Sequence, residues 1–331
     1  MNAVLSREVR VVLLLTPGAS LSAVSAVVDV LGSAQSLAAL TDPHWQVMRA
    51  SLDGHPVSLK GGFVMEADVS LKQVQSADVL IVPSFMFNLK ECLPGFKALT
   101  EDLARLRQSG CALVSICTGA FVLAECGLLD GLQATTHWAL ADAFRRRYPK
   151  VRLDTQSIVC DQGDVITSGG GMSALDVVTH VLRRFGNESL AQRCARYLVL
   201  DGSRGAQAAY AQWMPDFQHG DERVQALQHW MAEHLRQAIH MDAMAARAGW
   251  SGRQMARRFK EATGLAPLAY LQALRLARAR HLLETSAMSW ERVTSESGYE
   301  DPASFRRLFQ REVGLSPGAY RRQFSWRTAR G

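Results

Sequence analysis

The sequence predicts two domains of different class: an α/β domain with a mostly parallel, doubly wound sheet, and an all-α domain after it. From residue 9 to about residue 200, buried-strand patterns alternate with helical patterns, which is typical of parallel strands covered by helices on both faces. From Asp221 onward the pattern is almost entirely helical. At 331 residues the chain is long enough for two compact domains.

Each strand of the first domain is predicted from a run of apolar residues, and each helix from an apolar periodicity near 3.6 residues. The predicted strands cover residues 9–15, 45–51, 63–65, 78–83 and 111–116. The predicted helices cover residues 20–40, 93–108, 121–126, 138–147, 173–185 and 189–200. Glycine and proline then interrupt a polar stretch. We therefore predict domains at 1–200 and 221–324, a linker at 201–220 and a tail at 325–331.

Charge and cysteine content narrow the class of protein. From Asp221 onward the chain has 18 Lys and Arg against 11 Asp and Glu, whereas the first 220 residues have 19 against 20. A basic domain beside a neutral one indicates binding to nucleic-acid phosphates. Neither a membrane span nor a signal peptide is visible, so we expect a cytoplasmic protein without a membrane partner. The six cysteines have no zinc spacing, and the sequence predicts no metal, cofactor or disulfide framework.

Two neighbouring helical patterns after residue 240 predict a helix-turn-helix. A glycine ends the first helix, and Ser251 is a suitable N-cap for the second. The second helix carries Met255 and Phe259 on one face and Arg253 and Arg257 on another. An arginine face is also typical of any solvated helix, so this unit alone does not establish a DNA-binding function.

The same arrangement recurs about 50 residues later. Phe305 and Phe309 repeat the apolar pair, and the charged face carries Arg306, Arg307 and Arg311. Between the two units, residues 268–283 predict a linking helix about 24 Å long at 1.5 Å per residue. Such a spacer can hold two reading helices about one DNA turn, roughly 34 Å, apart. The repetition favours DNA binding over a solvated face.

A set of stretches in this region carries a resemblance to a known family: Arg257-Arg258-Phe259-Lys260, Leu274-Arg275-Leu276-Ala277-Arg278, Gly298-Tyr299-Glu300-Asp301, Phe305-Arg306-Arg307-Leu308-Phe309 and Gly314-Leu315-Ser316-Pro317. With them, residues 221–324 resemble the AraC/XylS-type DNA-binding domain. The resemblance implies double-stranded DNA as a partner and the following groove-facing positions: Arg253, Arg257, Ala303, Arg306 and Arg307. Thr294 and Ser297 are polar where the family usually has small apolar residues. We therefore expect the second unit to pack less tightly or to contribute more to phosphate contacts.

In the first domain, a predicted buried strand turns directly into a helix at Cys117-Thr118-Gly119-Ala120. Such a turn exposes a side chain above the sheet, near backbone N–H groups at a helix N-terminus, and predicts a lowered pKa for the Cys117 thiol. With Ala134-Thr135-Thr136-His137-Trp138, this turn makes residues 9 to about 190 resemble a PfpI-type, class I glutamine-amidotransferase-like domain. That resemblance implies a flavodoxin-like fold with Cys117 at the nucleophile position. End to end, the chain resembles regulators of the GlxA/FtrA type.

Three departures from the enzyme pattern argue against catalysis. Thr118 stands where the enzymes place a histidine, the position of their carboxylate falls near Ala23, and Ser84-Phe85 replaces a Gly-Gly that helps form the oxyanion hole. A nucleophile needs a base within reach and donors for the developing oxyanion. Thr118 also occurs in members similar to isonitrile hydratase, so it does not decide the question alone. We expect a degenerate domain that keeps a ligand pocket formed by Cys117, Thr118, Ser84, Phe85 and His137.

Other residues near this turn leave alternatives open. Phe85, Met86, Phe87 and Trp138 could wall a pocket for a cationic ligand, but aromatic residues are more often core. His137 fits a structural role better than a ligand role. The glycines at 169–171 could bring backbone amides to a ligand or could form only a turn.

The sequence therefore predicts a transcription activator that responds to a small nitrogenous metabolite bound near Cys117. We expect it to form a homodimer through the first domain and to act on RNA polymerase. One alternative is an active cysteine-dependent hydrolase or hydratase fused to a DNA-binding domain. A redox switch through Cys117 is another.

Overall fold

The computed structural model describes residues 7–85, 93, 95–200, 206–211, 213, 215, 217 and 219–325. The predicted tail beyond residue 325 lies outside these residues, as do Met86 and Phe87. By its contacts the chain divides into two compact units, Met1–Ala208 and Ala209–Gly331. None of the helices in the described ranges has the length and apolar content of a membrane span.

The N-terminal unit is built on a seven-stranded sheet, with two further two-stranded sheets outside it. The strands are β1 Glu8–Leu14, β2 His44–Ser51, β3 Val57–Ser58, β4 Val64–Met65, β5 Val69–Ser70, β6 Val79–Val82, β7 Ala112–Ile116, β8 Gln133–Ala134, β9 Arg152–Leu153, β10 Val159–Asp161 and β11 Val165–Ser168. The order in the large sheet is β10-β11-β7-β6-β1-β2-β5, and the small sheets are β3-β4 and β8-β9. All neighbouring strands of the large sheet are parallel except the antiparallel pair β10 and β11.

Helices cover both faces of this sheet, as predicted. The strand β1 shows why: Val11 and Leu13 belong to one apolar cluster and Val12 and Leu14 to another, because successive side chains point to opposite faces. The helices of this unit are α1 Leu21–Leu37, α2 Thr100–Gln108, α3 Gly119–Glu125, α4 Ala141–Arg147, α5 Ser173–Val181 and α6 Glu188–Tyr197. One cluster packs under α1, α5 and α6, and the other under α2, α3 and α4.

Two differences from the sequence prediction affect the elements around the site. Strand β11 and the edge strand β10 were not predicted, although β11 lies inside the sheet between β10 and β7. The predicted helix at 93–108 is shorter in its regular part, since a 3₁₀ turn at Lys97–Leu99 precedes α2. The other predicted helices differ from the observed ones by a few residues at their ends, where helices fray.

The regular secondary structure described in the C-terminal unit is all helical, and it includes two helix-turn-helix motifs. Its helices are α7 Glu222–Glu233, α8 Met241–Ala248, α9 Gly252–Thr263, α10 Pro267–Thr285, α11 Trp290–Glu296, α12 Pro302–Val313 and α13 Pro317–Phe324. Each motif has its own apolar core. The linking helix α10 contributes to both, through Tyr270 and Leu271 in the first and Ala279 and Leu282 in the second.

Capping residues fix the ends of the two second helices. The Ser251 hydroxyl accepts the Gln254 N–H at the start of α9, and the Asp301 carboxylate accepts two N–H groups at the start of α12. Both helices end at a glycine in the left-handed region, Gly264 with φ +77° and Gly314 with φ +78°. The predicted N-cap at Ser251 is therefore confirmed.

The polar residues singled out in the second motif are buried. Thr294 donates its hydroxyl to the Trp290 carbonyl at 2.8 Å, which satisfies it inside α11. The hydroxyl of Ser297 is buried and has no hydrogen-bond partner among the described residues, which is unfavourable. Looser packing of this motif remains a prediction.

Candidate nucleic-acid interface and ligand pocket

Cys117 occupies a strained turn between β7 and α3. Its φ of +54° lies in the left-handed region, which residues other than glycine rarely adopt. Its N–H donates to the Ser168 carbonyl at 3.0 Å, and its carbonyl accepts the Thr136 hydroxyl at 2.9 Å. A Cβ on Gly119 would lie 2.5 Å from the Val82 carbonyl oxygen, so the turn also requires glycine there. The predicted sharp strand-to-helix turn is confirmed.

The environment of the Cys117 thiol corrects the sequence prediction. The side chain is 3% exposed and lies in the same apolar cluster as Ala23. Burial raises the pKa of Cys117 to about 12, and hydrogen bonds from Thr118 oppose this only in part. The predicted lowering of the thiol pKa, and the exposure of this side chain above the sheet, are therefore wrong.

Alkylation of native Cys117 should be slow at pH 8. Only the thiolate reacts, and burial disfavours the thiolate, so the reactive form accumulates only as the pH approaches about 12. Compared with a free thiol, whose pKa is about 8.5, we expect roughly a thousandfold lower rate with iodoacetamide. Peptide mass spectrometry measures this rate, and the same protein in guanidinium is the control. Modification within minutes under native conditions would contradict the buried thiol.

Thr118, the residue after Cys117, is hydrogen-bonded to Phe85, the residue after Ser84. The Thr118 hydroxyl accepts the Phe85 N–H at 2.9 Å, so it stabilises the loop after β6. The Ser84 hydroxyl is buried without a hydrogen-bond partner among the described residues. The Phe85 ring packs in the core against Phe96, with ring centroids 5.2 Å apart, which is the core role that the sequence left open for it.

His137 lies half-buried at the start of a 3₁₀ turn. Its Nδ1 accepts the Ala139 N–H at 3.1 Å, and its ring lies against Trp138. Burial lowers the pKa of His137, which favours the neutral ring. This geometry agrees with a structural role.

Hydroxyl groups gather at the carboxyl ends of the parallel strands, where doubly wound sheets bind their ligands. Thr16 follows β1, Ser84 follows β6, and Ser115 and Ser168 lie near the ends of β7 and β11. The hydroxyls of Thr16, Ser84 and Ser115 are buried and have no partner among the described residues. Sequence reasoning missed Thr16, because a single threonine after a strand gives no signal. No group of His, Cys, Asp or Glu suited to a metal ion occurs in the described part of the chain.

In the C-terminal unit, the first candidate reading helix is α9. Arg253 and Arg257 are exposed on the side opposite the buried pair Met255 and Phe259. Arg257 pairs with Glu261 at 3.1 Å, and both side chains are largely exposed. This pair contributes little to stability, so the guanidinium is available to another partner.

The second candidate reading helix is α12, which repeats α9 with an offset of 50 residues. Ala303 and Arg307 correspond in position to Arg253 and Arg257 and are exposed. Arg307 donates to the Ser304 hydroxyl at 2.8 Å. Arg306 is exposed as well, but the helical period of 3.6 residues places it on a flank of this face.

Arg275 on the linking helix was not singled out from the sequence. Its guanidinium donates to the carbonyls of Leu235 at 3.0 Å and Gln237 at 2.7 Å. The same group lies over the Tyr299 ring, 5.3 Å from its centroid, in the turn of the second motif. Arg275 therefore connects the segment after α7 to the second motif and helps to fix the two motifs relative to each other.

Comparisons with known proteins agree with the fold of the N-terminal unit and with the helix-turn-helix motifs of the C-terminal unit. Residues 9–184, more than half of the chain, match the model of the DJ-1/PfpI family, and residues 244–323 match that of a helix-turn-helix domain. The chain belongs to the DJ-1/PfpI family and carries an AraC-type helix-turn-helix domain, which makes it a DNA-binding transcription regulator.

Two curated relatives are transcriptional regulators that the chain matches over two thirds or more of their length. The chain is 30% identical over 274 residues to the HTH-type transcriptional regulator CdhR of Pseudomonas aeruginosa, covering 82% of this chain and 80% of that one. It is 31% identical over 222 residues to the HTH-type transcriptional regulator GlxA of Rhizobium meliloti, covering 67% and 68%. A crystal structure of an AraC family transcriptional regulator from Pseudomonas putida matches with a TM-score of 0.50 and 25% identity, covering 57% of this chain and 99% of that one.

Proposed function

We propose that the N-terminal unit is a sensor without catalytic activity, which binds a small nitrogenous metabolite beside Cys117. The observation that carries this proposal is the combination of a strained turn with a buried thiol whose pKa is raised to about 12. A strained residue persists only where the surrounding structure holds it, and such residues cluster at ligand sites. The buried hydroxyls of Thr16 and Ser84 offer polar groups that a ligand could satisfy.

The residues at the positions of the enzymes' carboxylate and histidine support the proposal of a degenerate enzyme-like domain. Ala23, which stands near the position of the enzymes' carboxylate, is fully buried among apolar residues. Thr118 accepts a backbone N–H and supplies no base. The alternative, a hydrolase or hydratase that uses Cys117, needs a thiolate that burial disfavours. Assays of amidase, isomerase and isonitrile-hydrating activity should therefore show no turnover, and turnover abolished by Cys117→Ser would contradict the sensor proposal.

The proposed action on DNA uses both motifs. Arg253 and Arg257 of α9 and Ala303 and Arg307 of α12 would face the major groove, with Arg306 at the side. Arginine is the commonest reader of guanine because its two donors match the O6 and N7 acceptors. We further propose that two copies associate through their N-terminal units on repeated half-sites and that the bound protein activates transcription through RNA polymerase.

A ligand panel tests the sensor proposal. A true ligand raises the Tm of the folded protein by mass action, by an amount that grows with ligand concentration. We expect at least one amino acid, betaine or polyamine to raise the Tm, and Ser84→Val to abolish that rise. Cys194→Ser, which changes a buried cysteine on α6, is the matched control and should keep the response. If no compound raises the Tm, or if Ser84→Val responds like wild type, the pocket is not where we propose it.

A further inference from the structure

Gln207 lies in the stretch that the sequence predicts as a linker, yet its side chain is only 4% exposed. Its Nε2 donates to the Thr135 hydroxyl at 2.7 Å and to the carbonyls of Thr136 at 3.0 Å and Ser157 at 3.2 Å. Its backbone N–H donates to the Gln156 carbonyl at 2.8 Å. The end of the N-terminal unit is therefore anchored by one amide side chain.

Two residues connect the Gln207 side chain to the strained turn at Cys117. Thr136 accepts the Gln207 amide with its carbonyl and donates its hydroxyl to the Cys117 carbonyl at 2.9 Å. Gly169 follows Ser168, whose carbonyl accepts the Cys117 N–H. A Cβ on Gly169 would lie 2.5 Å from the Gln207 Oε1, so the absence of a side chain there makes room for the amide.

The chain that follows is anchored in the C-terminal unit. Ala209 belongs to the apolar core of the second motif, and the Tyr210 ring packs against Phe324 with centroids 5.1 Å apart. Arg280 of the linking helix donates to the Ala211 carbonyl. Along the chain, Ala208 alone separates Gln207 from Ala209.

We infer that Gln207 is a latch through which the pocket beside Cys117 controls the DNA-binding unit. The inference rests on the proposed function, because it assumes that a ligand binds at that turn. A ligand that moves Thr136 or Gly169 releases the Gln207 amide and frees the segment that leads to the second motif. The Gln207 Oε1 is buried and accepts no hydrogen bond from the described residues, which is unfavourable and makes the latched state easier to open.

Two substitutions open the latch from opposite sides. Gln207→Glu keeps the size of the side chain but removes the donor that three acceptors share. Gly169→Ala leaves the sequence of the connecting segment unchanged, and its Cβ clashes with the Gln207 Oε1. The φ of Gly169 is not in the left-handed region, so its backbone conformation suits alanine. The matched control is Gln192→Ala, an exposed glutamine on α6 whose amide donates to Glu188 of the same helix.

The test uses the full chain without ligand. Hydrogen–deuterium exchange reports on peptides that cover residues 206–213, and fluorescence anisotropy gives the Kd for an operator selected from random DNA with the wild-type protein. We expect both latch variants to exchange faster in these peptides and to change the Kd in the same direction by about fivefold or more. The control should match wild type in both measurements.

Wild-type exchange or a wild-type Kd in either latch variant overturns the inference, as do changes of Kd in opposite directions. Because no ligand is present, this result does not depend on the identity of the effector. Failure of the ligand panel above would instead remove the proposed sensor function, so the two failures are distinguishable.

Discussion

Phe259→Ala should lower the free energy of unfolding of the C-terminal unit by about 3–5 kcal/mol and abolish DNA binding. Phe259 is fully buried on α9 and packs edge-on against Tyr270 of the linking helix, with ring centroids 5.1 Å apart. Truncation leaves a cavity between the two helices that the small core cannot close. Since domains of this size are stable by about 5–15 kcal/mol, such a loss is a large part of the free energy of unfolding. Urea denaturation followed by tryptophan fluorescence measures it.

The control is an equal truncation in the other unit. Phe144 is also fully buried, on α4, and packs edge-on against Phe121. Phe144→Ala should destabilise the N-terminal unit by a similar amount while the C-terminal unit keeps its unfolding transition. If Phe259→Ala instead left operator binding unchanged, α9 would not be part of the DNA-binding core.

Arg257→Ala should weaken operator binding by about 1–3 kcal/mol, roughly a 5- to 150-fold rise in Kd, with little loss on random DNA. The guanidinium is exposed on α9 and is paired only at the surface with Glu261, at 3.1 Å. Exchanging a surface ion pair for two hydrogen bonds to guanine costs little and is specific to sequence. Gel-shift titrations on operator and on random DNA measure both affinities.

A control variant distinguishes the loss of one positive charge from the loss of a contact with a base. Arg146→Ala removes one exposed positive charge from α4 of the N-terminal unit and should leave both affinities unchanged. Equal losses on operator and random DNA in Arg257→Ala would assign this residue to phosphate contacts, because those carry no sequence information.

The helix-turn-helix motifs were predicted well because their signals are local. Ser251 and Gly264 mark the two ends of α9 by capping chemistry that operates within one turn, and Met255 and Phe259 mark its buried face. Strand β11 escaped prediction because only Val165 and Ile166 of its four residues are apolar, too short an apolar run to indicate a strand, although its pairing with both β10 and β7 places it inside the sheet.

The predictions for the site that are wrong concern properties that tertiary contacts determine. The local pattern at Cys117 predicts the turn, and the structure confirms it, but burial by α1 and α5 decides the thiol pKa in the opposite direction. In the same way, the sequence predicts that Gln207 lies in a linker, because glutamine is polar and the residues around it show no apolar periodicity. Its anchoring depends on Thr135, Thr136 and Ser157, which are 50 or more residues away in the sequence.

Methylation protection on a selected operator tests the central claim most directly, because dimethyl sulfate modifies guanine N7 in the major groove. With α9 and α12 as two reading helices of one chain, the full-length protein should protect two clusters of guanines about 10–10.5 base pairs apart on each bound half-site. Arg257→Ala should restore methylation in one cluster and Arg307→Ala in the other. Protection confined to a single cluster, or methylation unchanged by the protein, would contradict the account.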